Sequence, residues 1–92
     1  MPAFKLGQVV MTNSVQTELA NDSTINLFNI INRHHHCDWG DLCHEDEQAN
    51  VEALKTGARL FSSYKLNPNL TLWVITEAEP RNFTTIMLPS DY

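Results

Sequence analysis

The sequence predicts one small α+β domain spanning residues 1–92, a three- to four-stranded antiparallel meander sheet with two or three helices packed on one face. Two observations predict this fold class. Apolar residues follow helical spacing between Val15 and Gly57, whereas a period of two, interrupted by turns rich in Pro and Asn, prevails after Gly57. The 92 residues, 42% of them hydrophobic, suffice for one thin core and argue against a disordered chain.

The region before Gly57 is predicted to hold one strand and three helices. The strand covers 4–11, and the helices cover 15–20, 25–34 and 42–56. Short polar side chains precede each helix, and we expect Asp22 or Ser23 to cap the second helix and Asp41 to cap the third. Gly57 is placed where a glycine commonly ends a helix.

Three further strands are predicted after Gly57, over 59–66, 70–77 and 83–88, with turns at 67–69 and 79–82. In the middle strand Leu70, Leu72 and Val74 lie on one face, and Trp73 and Ile75 lie on the other. Both faces of this strand are therefore apolar, so each face needs a covering layer.

The predicted helices are enough to cover only one face of such a sheet. We expect the other face to expose a set of large apolar side chains, namely Phe61, Trp73, Ile75 and Ile86. A two-fold homodimer that uses this face in both copies is the predicted solution. In the alternative, the helix over 15–20 or the tail that reaches Tyr92 covers the face and leaves a monomer.

One stretch, residues 34–46, holds all four histidines, both cysteines and four of the eleven carboxylates. Imidazole and thiolate are the ligands that Zn²⁺ prefers, so a zinc site is the alternative hypothesis for this stretch. Its ligands would be His34, His36, Cys37, Cys43 and His44. The five-residue gap between the cysteines is not typical of a zinc knuckle, so the first prediction is that the domain has no metal and no cofactor, and two free thiols.

Within the same stretch, the loop Asp38, Trp39, Gly40 and Asp41 is a candidate protein-contact site, together with Trp73 in the sheet. The indole of Trp39 is alternatively a core anchor that pins the loop to the sheet. Asn50 lies on the inner face of the third helix, where a buried amide needs partners, and we expect it to bond the backbone of this loop. No base-oriented nucleophile is indicated, so we expect no enzyme activity.

The charge balance disfavours two classes of partner. Six Lys and Arg residues are scattered against eleven Asp and Glu residues, for a net charge of −5, so no basic patch for nucleic acid is expected. No apolar run approaches the length of a membrane span, and the first residues lack the apolar run of a signal peptide. We therefore expect an acidic, cytoplasmic protein without a direct membrane partner.

Several blocks of residues carry a resemblance that runs nearly end to end. They are 4–10, the 38–42 block with Glu45, Asp46 and Asn50, and then 57–64, 72–78 and 84–92. Together they resemble a family of small bacterial plasmid and prophage proteins, often labelled plasmid-related protein or type I restriction endonuclease subunit M. The family has no established activity, and this chain differs from it at Cys37, where glycine is usual. Three glycines and no glycine-rich cofactor loop do not fit a methyltransferase.

Two hypotheses of function follow from the sequence. The first is a small non-enzymatic protein-interaction module encoded on mobile genetic elements, an accessory or anti-defence factor that binds a host or defence protein. Its partner protein is not identified by the sequence. The second is a zinc-binding or small-molecule-binding domain centred on residues 34–46.

Overall fold

The computed structural model describes residues 4–92. Its elements in chain order are β1 (Gln8–Met11), α1 (Asn13–Asn21), α2 (Leu27–His35), α3 (His44–Thr56), β2 (Leu60–Asn67), β3 (Leu70–Thr76), β4 (Phe83–Met87) and one 3₁₀ turn (Pro89–Asp91). The small α+β fold is thus confirmed. Within residues 4–92, no helix has the length and apolarity needed to cross a membrane.

The sheet is mixed, which corrects the prediction of a purely antiparallel meander. Its strand order is β1-β4-β3-β2, and β2, β3 and β4 form the predicted antiparallel meander. The first strand adds to β4 in parallel, with Val9 opposite Thr84 and Met11 opposite Ile86. Apolar strand residues occur in either direction, so the run Val9, Val10 and Met11 carried no information on the orientation of β1.

The helix ends differ from the prediction at two places. The residue that caps α2 is Asn26, not Asp22 or Ser23. Its side-chain oxygen accepts a hydrogen bond from the backbone amide of Asn29. Helix α3 begins after Cys43, which makes no side-chain cap, and Asp41 lies outside the helix. Gly57 ends α3 with φ 82°, in the left-handed region that a glycine adopts without strain.

All three helices contribute to cores on one face of the sheet. One core joins α1 and α2 to the sheet, and its buried members are Val15, Ile30, Tyr64, Leu70, Leu72, Val74 and Ile86. The other core joins α3 to β2 through Trp39, Ala53 and Leu60. Ile86 was expected on the opposite face, and this expectation is wrong, because the strand alternation points it toward the helices.

The opposite face of the sheet, here called the open face, has two central rows of side chains. One row contains Phe61, Ile75, Thr85 and Val10, and the other contains Ser63, Trp73 and Met87. Among these, Ile75 is 9% exposed, and Phe61, Trp73, Met87 and Val10 are half-buried. The 3₁₀ turn brings Tyr92 over one end of the face, so the alternative in which the tail covers it applies to that end.

Candidate functional site

The predicted contact loop lies along the outer edge of β2. The Ser63 amide donates to the Trp39 carbonyl (3.1 Å), and the Asp41 amide donates to the Ser63 carbonyl (2.7 Å). Two residues further along β2, the Lys65 amide donates to the Asp41 carboxylate (2.7 Å). The loop thus satisfies the backbone groups that an edge strand leaves unpaired. This is the role of Asp41 in the structure, in place of the predicted helix cap.

Each end of the loop is fixed by local chemistry. Gly40 has φ 76°, and a Cβ there would collide with the Ser63 carbonyl oxygen, so only glycine fits. Asp38 accepts from the Arg33 guanidinium (2.8 Å) and from the Gly40 amide (3.2 Å). The hydrogen bond from Arg33 holds the pKa of the Asp38 carboxyl below its usual value. The Tyr64 hydroxyl donates to the Asp38 carbonyl (2.6 Å).

Trp39 is a core residue, since its side chain is 6% exposed and packs with Ala53 and Leu60. The core-anchor interpretation therefore describes it better than the contact interpretation. The structure places Asp38, Gly40 and Asp41 around it as the cap on β2, whereas Trp73 lies on the open face of the sheet. The predicted contact set is thus divided between two separate places.

Asn50 caps the same edge of β2 at Phe61, two residues before Ser63. Its side-chain oxygen accepts from the Phe61 amide (3.1 Å), and its side-chain nitrogen donates to the Phe61 carbonyl (2.7 Å). Asn50 is 3% exposed, and because its oxygen accepts and its nitrogen donates, the side-chain amide acts as a substitute for a strand peptide. We expected Asn50 to bond the backbone of the 38–41 loop. It bonds the backbone of β2 instead, and the loop caps the same strand.

His34 is at the centre of a buried chain of hydrogen bonds. Its ring nitrogens bond the Ser62 hydroxyl and the Thr76 hydroxyl, the latter at 2.9 Å. Thr76 bonds Thr84 (2.8 Å), and Thr84 donates to the Leu6 carbonyl (2.7 Å). The four side chains are 0% exposed, and the chain of bonds connects α2 with β2, β3, β4 and the segment that leads into β1.

The last acceptor fixes the direction of the hydrogen bonds between Leu6 and Nε2 of His34. A carbonyl oxygen only accepts, so Thr84 donates its hydroxyl proton to Leu6 and must accept from Thr76. Thr76 then accepts from Nε2–H of His34. The geometry therefore places a proton on Nε2, and in the neutral imidazole Nδ1 is the acceptor for Ser62.

Burial is consistent with this neutral form. Burial, and to a lesser extent the nearby His35, lowers the pKa of His34 from 6.5 to about 4. The Ser62–His34 pair has the contacts of a nucleophile and its base, but the rings of Phe4 and Trp39 pack edge-on against the imidazole at 5.4 and 5.6 Å. Because no substrate could reach a fully buried pair, we interpret it as part of the core.

The predicted zinc ligands are not brought together. Within residues 4–92, no group of three or more His, Cys, Asp or Glu side chains is arranged to hold a metal ion. The ring of His36 bonds the carbonyl of Asn32 (2.8 Å), and Cys43 is exposed at the start of α3. Cys37 has φ 65°, which favours glycine, and this explains why a glycine is suited to that position.

Arg81 is a structural residue that no sequence signal indicated. It is 2% exposed, and its guanidinium donates to the carbonyls of Ala53 (3.2 Å), Ala58 (2.9 Å) and Glu77 (3.2 Å). These acceptors come from the end of α3, the following segment and the end of β3. Arg81 therefore ties the last turn of α3 to the sheet, although an Arg in a turn normally suggests only a solvated surface.

The open face forms an aromatic cluster. The rings of Phe61 and Trp73 meet edge to face at 5.0 Å, and Trp73 meets Tyr92 at 5.8 Å. Arg59 donates to the Tyr92 hydroxyl (2.7 Å), and its guanidinium lies over the Tyr92 ring. These side chains and Ile75 line a cleft of about 130 Å³. Tyr92 itself is 72% exposed, so the cluster is open to a partner.

The two tryptophans provide a matched pair for a stability test. We expect Trp39→Ala to lower the free energy of unfolding by about 3–5 kcal/mol, because it empties a buried site. Trp73→Ala should cost only about 1 kcal/mol, since its ring is half-exposed. Urea unfolding followed by circular dichroism measures both losses. Equal losses would contradict the assignment of one tryptophan to the core and the other to the surface.

A second prediction concerns acid. The unfolded imidazole takes up a proton near pH 6.5, whereas folded His34 does so only near pH 4, so the unfolded state binds more protons between these values. Stability should therefore fall as pH drops through this window, by roughly 3 kcal/mol from His34. The fall should be smaller in His34→Gln, which cannot ionise. By NMR, an imidazole of His34 that titrates near pH 6.5 in the folded protein would refute this.

Comparisons with known proteins do not indicate a function for this chain. No protein-family model, no curated protein and no solved structure matches the chain. The relation to small plasmid and prophage proteins therefore stays a prediction.

Proposed function

We propose that this domain is a non-enzymatic module that binds another protein through the open face of its sheet. The observation that carries the proposal is the aromatic cluster of Phe61, Trp73 and Tyr92, which stays accessible on a regular sheet surface. The two central rows of that face contain no ionisable side chain. Exposed apolar patches with aromatic side chains are typical of protein-binding surfaces.

The chemistry of the face indicates the kind of partner. Trp, Tyr and Arg are the residues that most often dominate a binding interface, and all three are present here. The apolar centre suits a partner with an apolar surface of its own. Arg59 lies at the margin of the cluster, where its guanidinium favours a partner carboxylate. We therefore expect a protein partner with an apolar centre and an acid group at its rim.

The other candidate places support this choice. The 38–41 loop uses its backbone and carboxylates to cap β2, and the indole of Trp39 is buried. The Ser62–His34 pair is closed to substrate, which leaves a binding role as the better explanation of the described residues. The mobile-element setting, with a host or defence protein as the target, is proposed from the resemblance alone.

The proposal is tested by comparing two surface variants in affinity capture from the source organism. Trp73→Glu places a charge in the centre of the open face, and Phe28→Glu places one on α2, where the ring is 88% exposed. Both should keep the circular dichroism spectrum of the wild type. We expect one protein to be captured stoichiometrically by the wild type and by Phe28→Glu, and to be lost with Trp73→Glu.

Two outcomes would contradict the proposal. One is a partner that Trp73→Glu retains and Phe28→Glu loses, which would move the binding surface to the helices. The other is stoichiometric zinc that survives dialysis of protein purified without a His tag, which would favour the metal-binding hypothesis centred on residues 34–46.

A further inference from the structure

The two edges of the sheet differ in whether their outward backbone groups are hydrogen-bonded. On the β2 edge, the outward backbone groups of Phe61 and Ser63 and the outward amide of Lys65 are all bonded by Asn50 or by the 38–41 loop. At the other edge, β1 is the last strand in the order, so no described strand lies beyond it in residues 4–92. One edge is closed by side chains and loop backbone, and the other presents a free strand.

The register shows which groups β1 presents. The Gln8 amide donates to Asn82 (2.8 Å), and the Thr12 amide donates to Ile86 (3.1 Å), both toward β4. In a parallel ladder, alternate residues face the same neighbour, so Val10 also bonds β4. The amide and carbonyl groups of Val9 and Met11 therefore point away from the sheet.

Apart from its length of four residues, nothing in the sequence of β1 discourages another strand from pairing with it. Soluble proteins protect a free edge with charged residues, proline or a bulge, and the sequence Gln-Val-Val-Met has none of these. Val9 is moreover 37% exposed. An edge of this kind is a template for strand addition.

We propose that a second copy of this chain pairs with β1 in an antiparallel, two-fold arrangement. With Val10 of each copy on the axis, Val9 of one copy lies opposite Met11 of the other. Each pair then exchanges the two outward amide and carbonyl groups, as an antiparallel ladder requires. A strand is self-complementary in this arrangement, because the same two residues supply all donors and all acceptors.

Charge also fits a second copy as the occupant. The sequence Gln-Val-Val-Met has no ionisable side chain, and Asp91 is bound to Thr12 directly after the strand (2.8 Å). In the antiparallel pair the two Asp91 carboxylates lie at opposite ends of the shared edge, so no like charges meet across it.

The consequence is a continuous eight-stranded sheet in which two open faces adjoin at β1. This dimer differs from the one predicted from the sequence, because it pairs edges and leaves Trp73 accessible in both copies. The inference is independent of the proposed function, since the two depend on different residues.

Sedimentation of the full chain tests the proposal with a matched pair of variants. We expect the wild type to sediment at micromolar concentration with twice the 10.5 kDa chain mass. Val9→Lys, which puts a charge at the free edge, should sediment at the chain mass with an unchanged circular dichroism spectrum. Val51→Lys is the control, because Val51 on α3 is 40% exposed but remote from the edge, and it should stay dimeric.

Hydrogen exchange of the wild type gives a readout that does not depend on any variant. In the dimer the amides of Val9 and Met11 should be protected, although neither donates to β4. A wild type that sediments at the chain mass with rapid exchange at both amides would overturn the proposal. So would a dimer that Trp73→Glu dissociates and Val9→Lys does not, since that dimer would use the open face.

Discussion

The buried chain of hydrogen bonds through His34 is the constraint on which the rest of the structure depends. It begins at Ser62, passes through His34, Thr76 and Thr84, and ends on the carbonyl of Leu6, so it joins α2 to β2, β3, β4 and the segment that leads into β1. Buried polar groups cost free energy unless every one is paired, and here a shift of any strand by one residue would leave at least one unpaired. The chain thereby fixes the register of the sheet and the position of α2.

The position of His34 also determines how the 38–41 loop caps β2. His34 belongs to the last turn of α2, and its ring packs against Trp39, so the 38–41 loop must leave the helix toward the β2 edge. Once Trp39 fills the second core, its own carbonyl and the amide of Asp41 meet the groups of Ser63. One buried histidine thus positions both the sheet beneath it and the loop that closes one sheet edge.

The sequence predicted those features that depend on local pattern. Helical spacing located α1, α2 and α3, alternation located the strands and separated Leu72 from Trp73, and the position of Gly57 predicted the end of α3. Features that depend on distant partners were not predicted. The orientation of β1 is set by its pairing with β4. Asp41 has the sequence position of a helix cap, and only the fold shows that its carboxylate binds the Lys65 amide instead. Polar residues at inward positions of the strands were the available signal for the His34 network.

The open face follows from how the helices are distributed. The described chain has three α-helices, and the buried apolar residues of all three belong to cores on the same face. On the other face the side chains can cover only one another, which they do most completely at Ile75 and least at Tyr92. The row that contains Phe61 and Ile75 continues across β4 to Val10 in β1. A second copy added at β1 would therefore extend this apolar row without covering it, so self-association and partner binding are compatible on one sheet.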